Sequence, residues 1–249
     1  MTRKTYEIDS KIFNVIANVI MTGKKEIRLL DEKNQPYQKI CGFIETDHTI
    51  FHPQGGGQPA DRGFIGDAEI LHVSLEKTAE SQHILHYYDF EKFTNIEKYQ
   101  PGDRVELRID PEFRFQCARY HSAGHLLADI VEKAFPVVAV KGNHFPNQAS
   151  VTFVFSDADD SFFNSLKQDA KIRENTIKDL QEKFDVKVKQ AIPVSISESD
   201  QIRKISISDR VMPCGGTHVE NTARLFGTSI FEITPEKKPP GFKIKYSCA

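Results

Sequence analysis

Cysteine is scarce in this chain: four in 249 residues, at Cys41, Cys117, Cys214 and Cys248. So few thiols, so widely scattered, exclude a disulfide framework and imply free, reduced cysteines. Long apolar runs are missing too, and nothing approaches the roughly 20 residues needed to span a bilayer. The opening MTRKTYEIDSK has no hydrophobic stretch behind its positive charges. No secretory leader or membrane span is therefore expected, and the cytoplasm is the expected compartment. Neither sign of charge is in excess, since 33 Lys and Arg stand against 35 Asp and Glu for a net −2. That balance excludes a broad electrostatic grip on nucleic acid and confines any such contact to a local patch. Lysines gather locally at 187–190, 236–238 and 243–245, where solvated strand faces and turns are the favoured reading of each. Internal repeats and low-complexity segments are also absent.

What is present fits a soluble globular protein: 39% hydrophobic and 27% charged residues, over a length that suits two domains. The first part reads as short strands between turns. VELRI alternates Val105, Leu107 and Ile109 onto one face, and ILHVSL does the same with Leu71, Val73 and Leu75. A small β-barrel or sandwich is expected there. Within it FHPQGGGQPADRG can form neither a helix nor a central strand. At IDPEF the texture changes, because Asp110 can cap a helix that starts at Pro111, and a domain boundary near residue 110 follows. Phe113, Leu126, Leu127, Ile130 and Val131 are the expected core contacts of that helix. VTFVF reads as a strand. Residues 161–184 read as one long amphipathic helix with Phe163, Leu166, Ala170, Ile177 and Leu180 on its apolar side. FDVKVKQ reads as a half-buried strand, and TSIFEIT and FKIKYS as two further β segments. The fold class is α+β: a small barrel over residues 1–110, then residues 111–249 with helices packed on an antiparallel sheet.

Two short motifs carry chemistry. HSAGHLL sets His121 and His125 at i and i+4 on one helix, a turn apart, as two ligands of one metal require. One buried and one exposed histidine would give the same spacing. Ser122 stands where a thermolysin-like HExxH pattern needs Glu, which disfavours a peptidase. PCGGTH adds Cys214 and His218, and its glycines let the backbone close tightly. Alternatively it is a tight turn with Cys214 as a small buried hydrophobe. Together the four make a His₃Cys set of the types zinc prefers.

HSAGHLL followed by CGGTHVENT resembles the paired zinc motifs of the editing domain of alanyl-tRNA synthetase and of its free-standing relatives, the alanyl-tRNA editing proteins. FHPQGGGQPADRG is similar to the glycine-rich signature of their longer members, which carry a β-barrel domain ahead of the editing domain. No synthetase catalytic core accompanies these motifs, so the likeness is to the free-standing proteins. The resemblance implies an aminoacyl-tRNA hydrolase, acting on the ester between tRNA(Ala) and a wrong amino acid, chiefly serine and in some members glycine. It places zinc on His121, His125, Cys214 and His218 as metal ligands and catalytic centre. Four protein ligands usually mark a closed structural site, whereas catalytic zinc keeps a position open. Two other readings therefore stand beside the first: a non-catalytic tRNA-binding module stapled by zinc, and a zinc-free editing domain of the threonyl-tRNA synthetase type.

Sparing alanine while destroying serine esters calls for a polar group that bonds the substrate hydroxyl. Ser122, Thr217, Asn143 and His144 are the candidates. Some relatives select through a threonine near this last pair, where this chain has Lys141, Gly142, Asn143 and His144. That departure leaves the preference between serine and glycine open. Gly55, Gly56 and Gly57 either offer backbone amides to the tRNA terminus or form a packing turn, and Gln58 and Asp61 are the side chains of that signature to test.

Overall fold

The computed structural model describes residues 2–30, 35–78, 80–93, 99–156, 160–199 and 202–249. The chain divides into two compact units: residues 1–55 with 59–114, and residues 56–58 with 115–249.

In the first unit Arg3–Lys4 (β1) pairs with His48–Thr49 (β4) beside a short helix, Thr5–Ile8 (α1). Six further strands follow: Asn14–Leu30 (β2), Pro36–Thr46 (β3), Gly63–Ile65 (β5), Ala68–Lys77 (β6), Gln82–Tyr88 (β7) and Arg104–Ile109 (β8). They pair in the order β2-β3-β7-β6-β5-β8. β2 is shared between two partners. Asn14–Asn18 pairs with β8 and Val19–Leu30 with β3, with a register shift between Val19 and Met21 where the strand changes partner, so the ladder returns to its first strand. Ala17, Val19, Ile44, Val73, Val105 and Leu107 fill the inside, as the alternation of VELRI foretells. In ILHVSL the alternation fails at one place. A bulge between Ile70 and His72 leaves Leu71 40% exposed and turns Ile70 inward instead.

His86 lies wholly inside this unit, with Nδ1 2.9 Å from the Ile44 carbonyl oxygen and Nε2 2.8 Å from the Thr49 hydroxyl. A carbonyl only accepts, so Nδ1 carries the hydrogen and Nε2 accepts from Thr49. Burial pushes this imidazole down to about 4. The depressed value means that His86 contributes stability above its unfolded pKa near 6.5 and that this is lost as pH falls through about 4. The loss is on the order of 3 kcal/mol. Melting temperature measured from pH 7 to 4 should fall more steeply in the wild type than in His86→Gln, and parallel curves would refute the assignment.

The second unit is built on Pro111–Ala134 (α2), within which the chain divides. Asp110 Oδ1 accepts from the amides of Glu112 and Phe113, the expected N-cap, worth about 1 kcal/mol. Leu126, Leu127, Ile130 and Val131 are buried, as their spacing requires. Val137–Asn143 (β9), Ser150–Phe155 (β10), Thr228–Lys237 (β14) and Pro240–Cys248 (β15) form an antiparallel sheet in the order β14-β15-β10-β9. Val151, Phe153, Phe242, Ile244 and Tyr246 share one buried cluster with α2. The α+β architecture holds.

Two expectations are corrected here. The long helix is two, Asp160–Gln168 (α3) and Ala170–Lys189 (α4), because Asp169 takes extended backbone angles and caps α4 through the Lys171 amide; Ala170 is exposed. FDVKVKQ is the end of α4 rather than a strand. Leu180, Phe184 and Val188 recur every four residues and are all buried, while Val186, which the alternating pattern counts as inward, is exposed. A further sheet, Ser195–Ser199 (β11), Ile202–Ile207 (β12) and Arg210–Pro213 (β13), escapes the sequence reading, since β11 is exposed throughout and shows no apolar face.

Candidate metal centre

α2 supplies His121 and His125 one turn apart. β13 ends at Pro213, and the following turn brings in Cys214 and His218. Arg203 in β12 anchors that turn: its carbonyl accepts the Cys214 amide at 3.1 Å, and its guanidinium donates to the Cys214 carbonyl. Cys214 Sγ then lies 3.5 Å from His121 Nε2, 3.5 Å from His125 Nε2 and 3.3 Å from His218 Nε2. One ligand atom from each of the four residues lies within 4.8 Å of all the others. An ion with bonds of about 2.0–2.1 Å to nitrogen and 2.3 Å to sulfur, in tetrahedral geometry, would hold them about 3.5 Å apart along each N···S edge. The donor types and the N···S distances fit zinc.

The protonation of the set is legible from its partners. Gln58 Oε1 accepts the Thr217 amide at 3.0 Å, which identifies that atom as the oxygen. His121 Nδ1, 2.7 Å from the same oxygen, must then carry its hydrogen, leaving the Nε2 lone pair aimed at Cys214. Gln58 Nε2 donates to the Thr217 hydroxyl at 2.9 Å, so both ends of this amide are engaged. Ser122 Oγ lies 3.1 Å from His218 Nδ1 and accepts the Val219 amide at 3.1 Å, holding the second imidazole from behind. Burial, with smaller contributions from His144 and Arg210, pushes His125 down to about 3, so it is neutral and ready to ligate. The Gly216 amide donates to Cys214 Sγ at 3.4 Å. Glycine is required there by close approach, because a Cβ would fall 2.1 Å from His121 Cε1.

Of the residues singled out for substrate, Ser122, Thr217 and Gln58 are fully buried; Ser122 and Gln58 are bonded to His218 and His121, and Thr217 to Gln58. His144 stacks on His121 with ring centroids 4.7 Å apart. Its ring fills the space above Gly124, where a Cβ would lie 2.3 Å away. Tyr246 spends its hydroxyl hydrogen on the Tyr120 carbonyl at 2.8 Å, so His144 Nδ1, at 2.7 Å, is the donor to that hydroxyl and Nε2 is bare. Burial pushes His144 down to about 4. Gly57, at φ +80°, accepts the His144 amide through its carbonyl at 2.8 Å. Asn143 donates to the Gln148 carbonyl, and Gly55 and Gly56 are exposed. Asp61 is not part of this cluster. It belongs to the first unit, where Arg114 grips both carboxylate oxygens and the His52 amide donates to one of them. Tyr246 and Gly124 were not singled out in the sequence, since nothing in their spacing marks them.

The chain is 32% identical to an alanyl-tRNA editing protein AlaX-M of Pyrococcus horikoshii, covering 72% of this chain and 74% of the relative. It is 29% identical to an AlaX-L of the same organism, over 89% of this chain and 55% of that protein. With an AlaX-M of Methanosarcina barkeri the identity is 28%, over 79% and 85% of the two chains. No family model matches.

Proposed function

The chain belongs to the alanyl-tRNA editing proteins of the AlaX type, which are aminoacyl-tRNA hydrolases, and from that premise we propose that it deacylates mischarged tRNA(Ala). The amino acid removed is chiefly serine, with glycine second, and the site is centred on zinc held by His121, His125, Cys214 and His218. The convergence of three Nε2 atoms on one Sγ carries this reading. We read the six-stranded ladder as the small barrel of the longer members, and residues 111–249 as the editing domain. Among the described residues no helix is long and apolar enough to cross a membrane, and we assign the activity to the cytoplasm, where charged tRNA is found.

When bound, zinc supplies Lewis acidity toward an ester carbonyl or a water. Gln58 and Ser122 orient two of the ligand imidazoles, and Thr217 holds Gln58 in place. Among the residues selected for substrate, His144 is the one whose free nitrogen can accept a hydrogen bond from a substrate hydroxyl, a contact that alanine lacks. Gly57 and Asn143 line the open approach beside it.

Deacylation of seryl-tRNA(Ala), measured with and without a chelator on protein of known metal content, tests the reading. About one zinc per chain is expected, with activity lost on chelation and restored by zinc. Full activity in metal-free protein would remove zinc from the mechanism. Zinc-replete protein that leaves seryl-tRNA(Ala) intact would leave only the tRNA-binding module.

A further inference from the structure

The solvent face of the β14-β15-β10-β9 sheet carries a groove of about 1050 Å³. Alternation along β10 and β15 sends Val151, Phe153, Phe242 and Ile244 into the core and Ser150, Thr152, Lys243 and Lys245 outward. Register then lines these outward residues into rows. Lys141, Thr152 and Lys243 lie opposite one another across three strands, and Asn143, Ser150 and Lys245 form the next row. In β14 a bulge between Ile230 and Glu232 turns Phe231 onto this polar face, 53% exposed, beside the lysines.

The charges are available to a ligand. Lys141 has no carboxylate partner among the described residues. Lys243 pairs with Glu236 at 2.7 Å and Lys245 with Glu232 at 2.9 Å, and all four side chains are more than a third exposed. Such surface pairs are weak and exchange readily for another anion. Three lysines line the groove against one carboxylate, Glu236. Gly57 and Asn143, which also line the groove, are the chain neighbours of Gln58 and His144.

A shallow face that combines rows of lysine and hydroxyl groups with one upturned aromatic ring suits a single-stranded nucleic acid, which offers phosphates at intervals and a flat base to stack. A protein partner suits this face less, because the centre of a protein interface is depleted in lysine. We propose that this face seats the unpaired 3′ strand of the RNA acceptor, with Phe231 stacking on a base and Lys141 and Lys243 meeting phosphates, and that it leads the terminal nucleotide toward His144; the identity of the RNA rests on the deacylase reading above.

The test is fluorescence anisotropy with a labelled single-stranded RNA ending in CCA and with a blunt RNA hairpin lacking that overhang. The wild type should prefer the overhang. Phe231→Ala should weaken its binding by roughly 5- to 100-fold, with Phe231→Tyr recovering it. Lys141→Ala should lower the slope of log K against log salt by about 0.7. Metal content should be unchanged in all variants. No preference for the overhang, or equal affinity in the wild type, Phe231→Ala and Lys141→Ala, overturns the proposal and returns the face to a protein partner or to plain solvent. If the variants lose RNA binding while the wild type fails to deacylate seryl-tRNA(Ala), the deacylase reading falls and the RNA-binding face stands.

Discussion

Cys214→Ala will lose zinc and seryl-tRNA(Ala) deacylation together, and no acylated protein will accumulate in the wild type. The argument is the position of Sγ, which all three imidazole Nε2 atoms approach at 3.3–3.5 Å. A cysteine nucleophile needs a base to take its proton and a free lone pair to attack. Gln58 fixes the His121 tautomer in which Nδ1 holds the hydrogen and Nε2 offers a lone pair. That tautomer serves a base and a ligand alike, and it is the approach of three Nε2 atoms to one Sγ, where a nucleophile needs a single base, that favours the ligand. Several lone pairs converging in a largely buried space are stabilised by a cation, and ligation then ties up the sulfur. Loss of an outer partner alone commonly costs about 10–100-fold in affinity or activity, so loss of a ligand should exceed that. Metal analysis and intact-protein mass spectrometry after rapid quenching decide the matter. A seryl adduct mapping to Cys214, or an inactive Cys214→Ala protein with its zinc complete, would make the residue a nucleophile.

The two pairs of the His₃Cys cluster were legible in the sequence because their spacing is local: a turn of α2 separates one pair and a four-residue step the other. The second layer was not, because it is assembled over long separations. Gln58 meets Thr217 across 159 positions and His121 across 63. Nothing in GGGQ says that its amide will orient a histidine. Tyr246, which sets the tautomer of His144, lies 102 residues from it. The same contrast runs through the fold. Asp110 before Pro111 marks the start of α2 by local chemistry alone, and VELRI marks its strand by strict alternation. At the end of α4, period 2 and period 4 both fit FDVKVKQ, and only burial of Leu180, Phe184 and Val188 in the second unit's core chooses between them. The bulges at Leu71 and Phe231 reverse a side chain without any signature in composition.

Gln58 and Asp61, three residues apart in one glycine-rich signature, should fail in opposite ways when replaced. Gln58→Ala removes the acceptor that fixes His121 and the donor that holds Thr217. Metal affinity or deacylation should therefore fall by about 10–100-fold, with the melting temperature of the metal-free protein little changed. Asp61→Asn strands the Arg114 guanidinium inside the first unit, where both residues are 2% exposed. Arg114 keeps the Ser10 and Ile50 carbonyls but loses its only carboxylate partner among the described residues. Breaking a buried pair from one side costs about 3–5 kcal/mol, which for a unit of this size lowers its melting temperature by roughly 10–20 °C. Zinc content should stay near one per chain in the protein that remains folded, because no atom of Asp61 is bonded to the ligand set. Calorimetry beside metal analysis separates the two outcomes. An Asp61→Asn protein that melts normally yet has lost its zinc would move Asp61 into the metal site, and a Gln58→Ala protein that keeps full zinc affinity and activity would take Gln58 out of it.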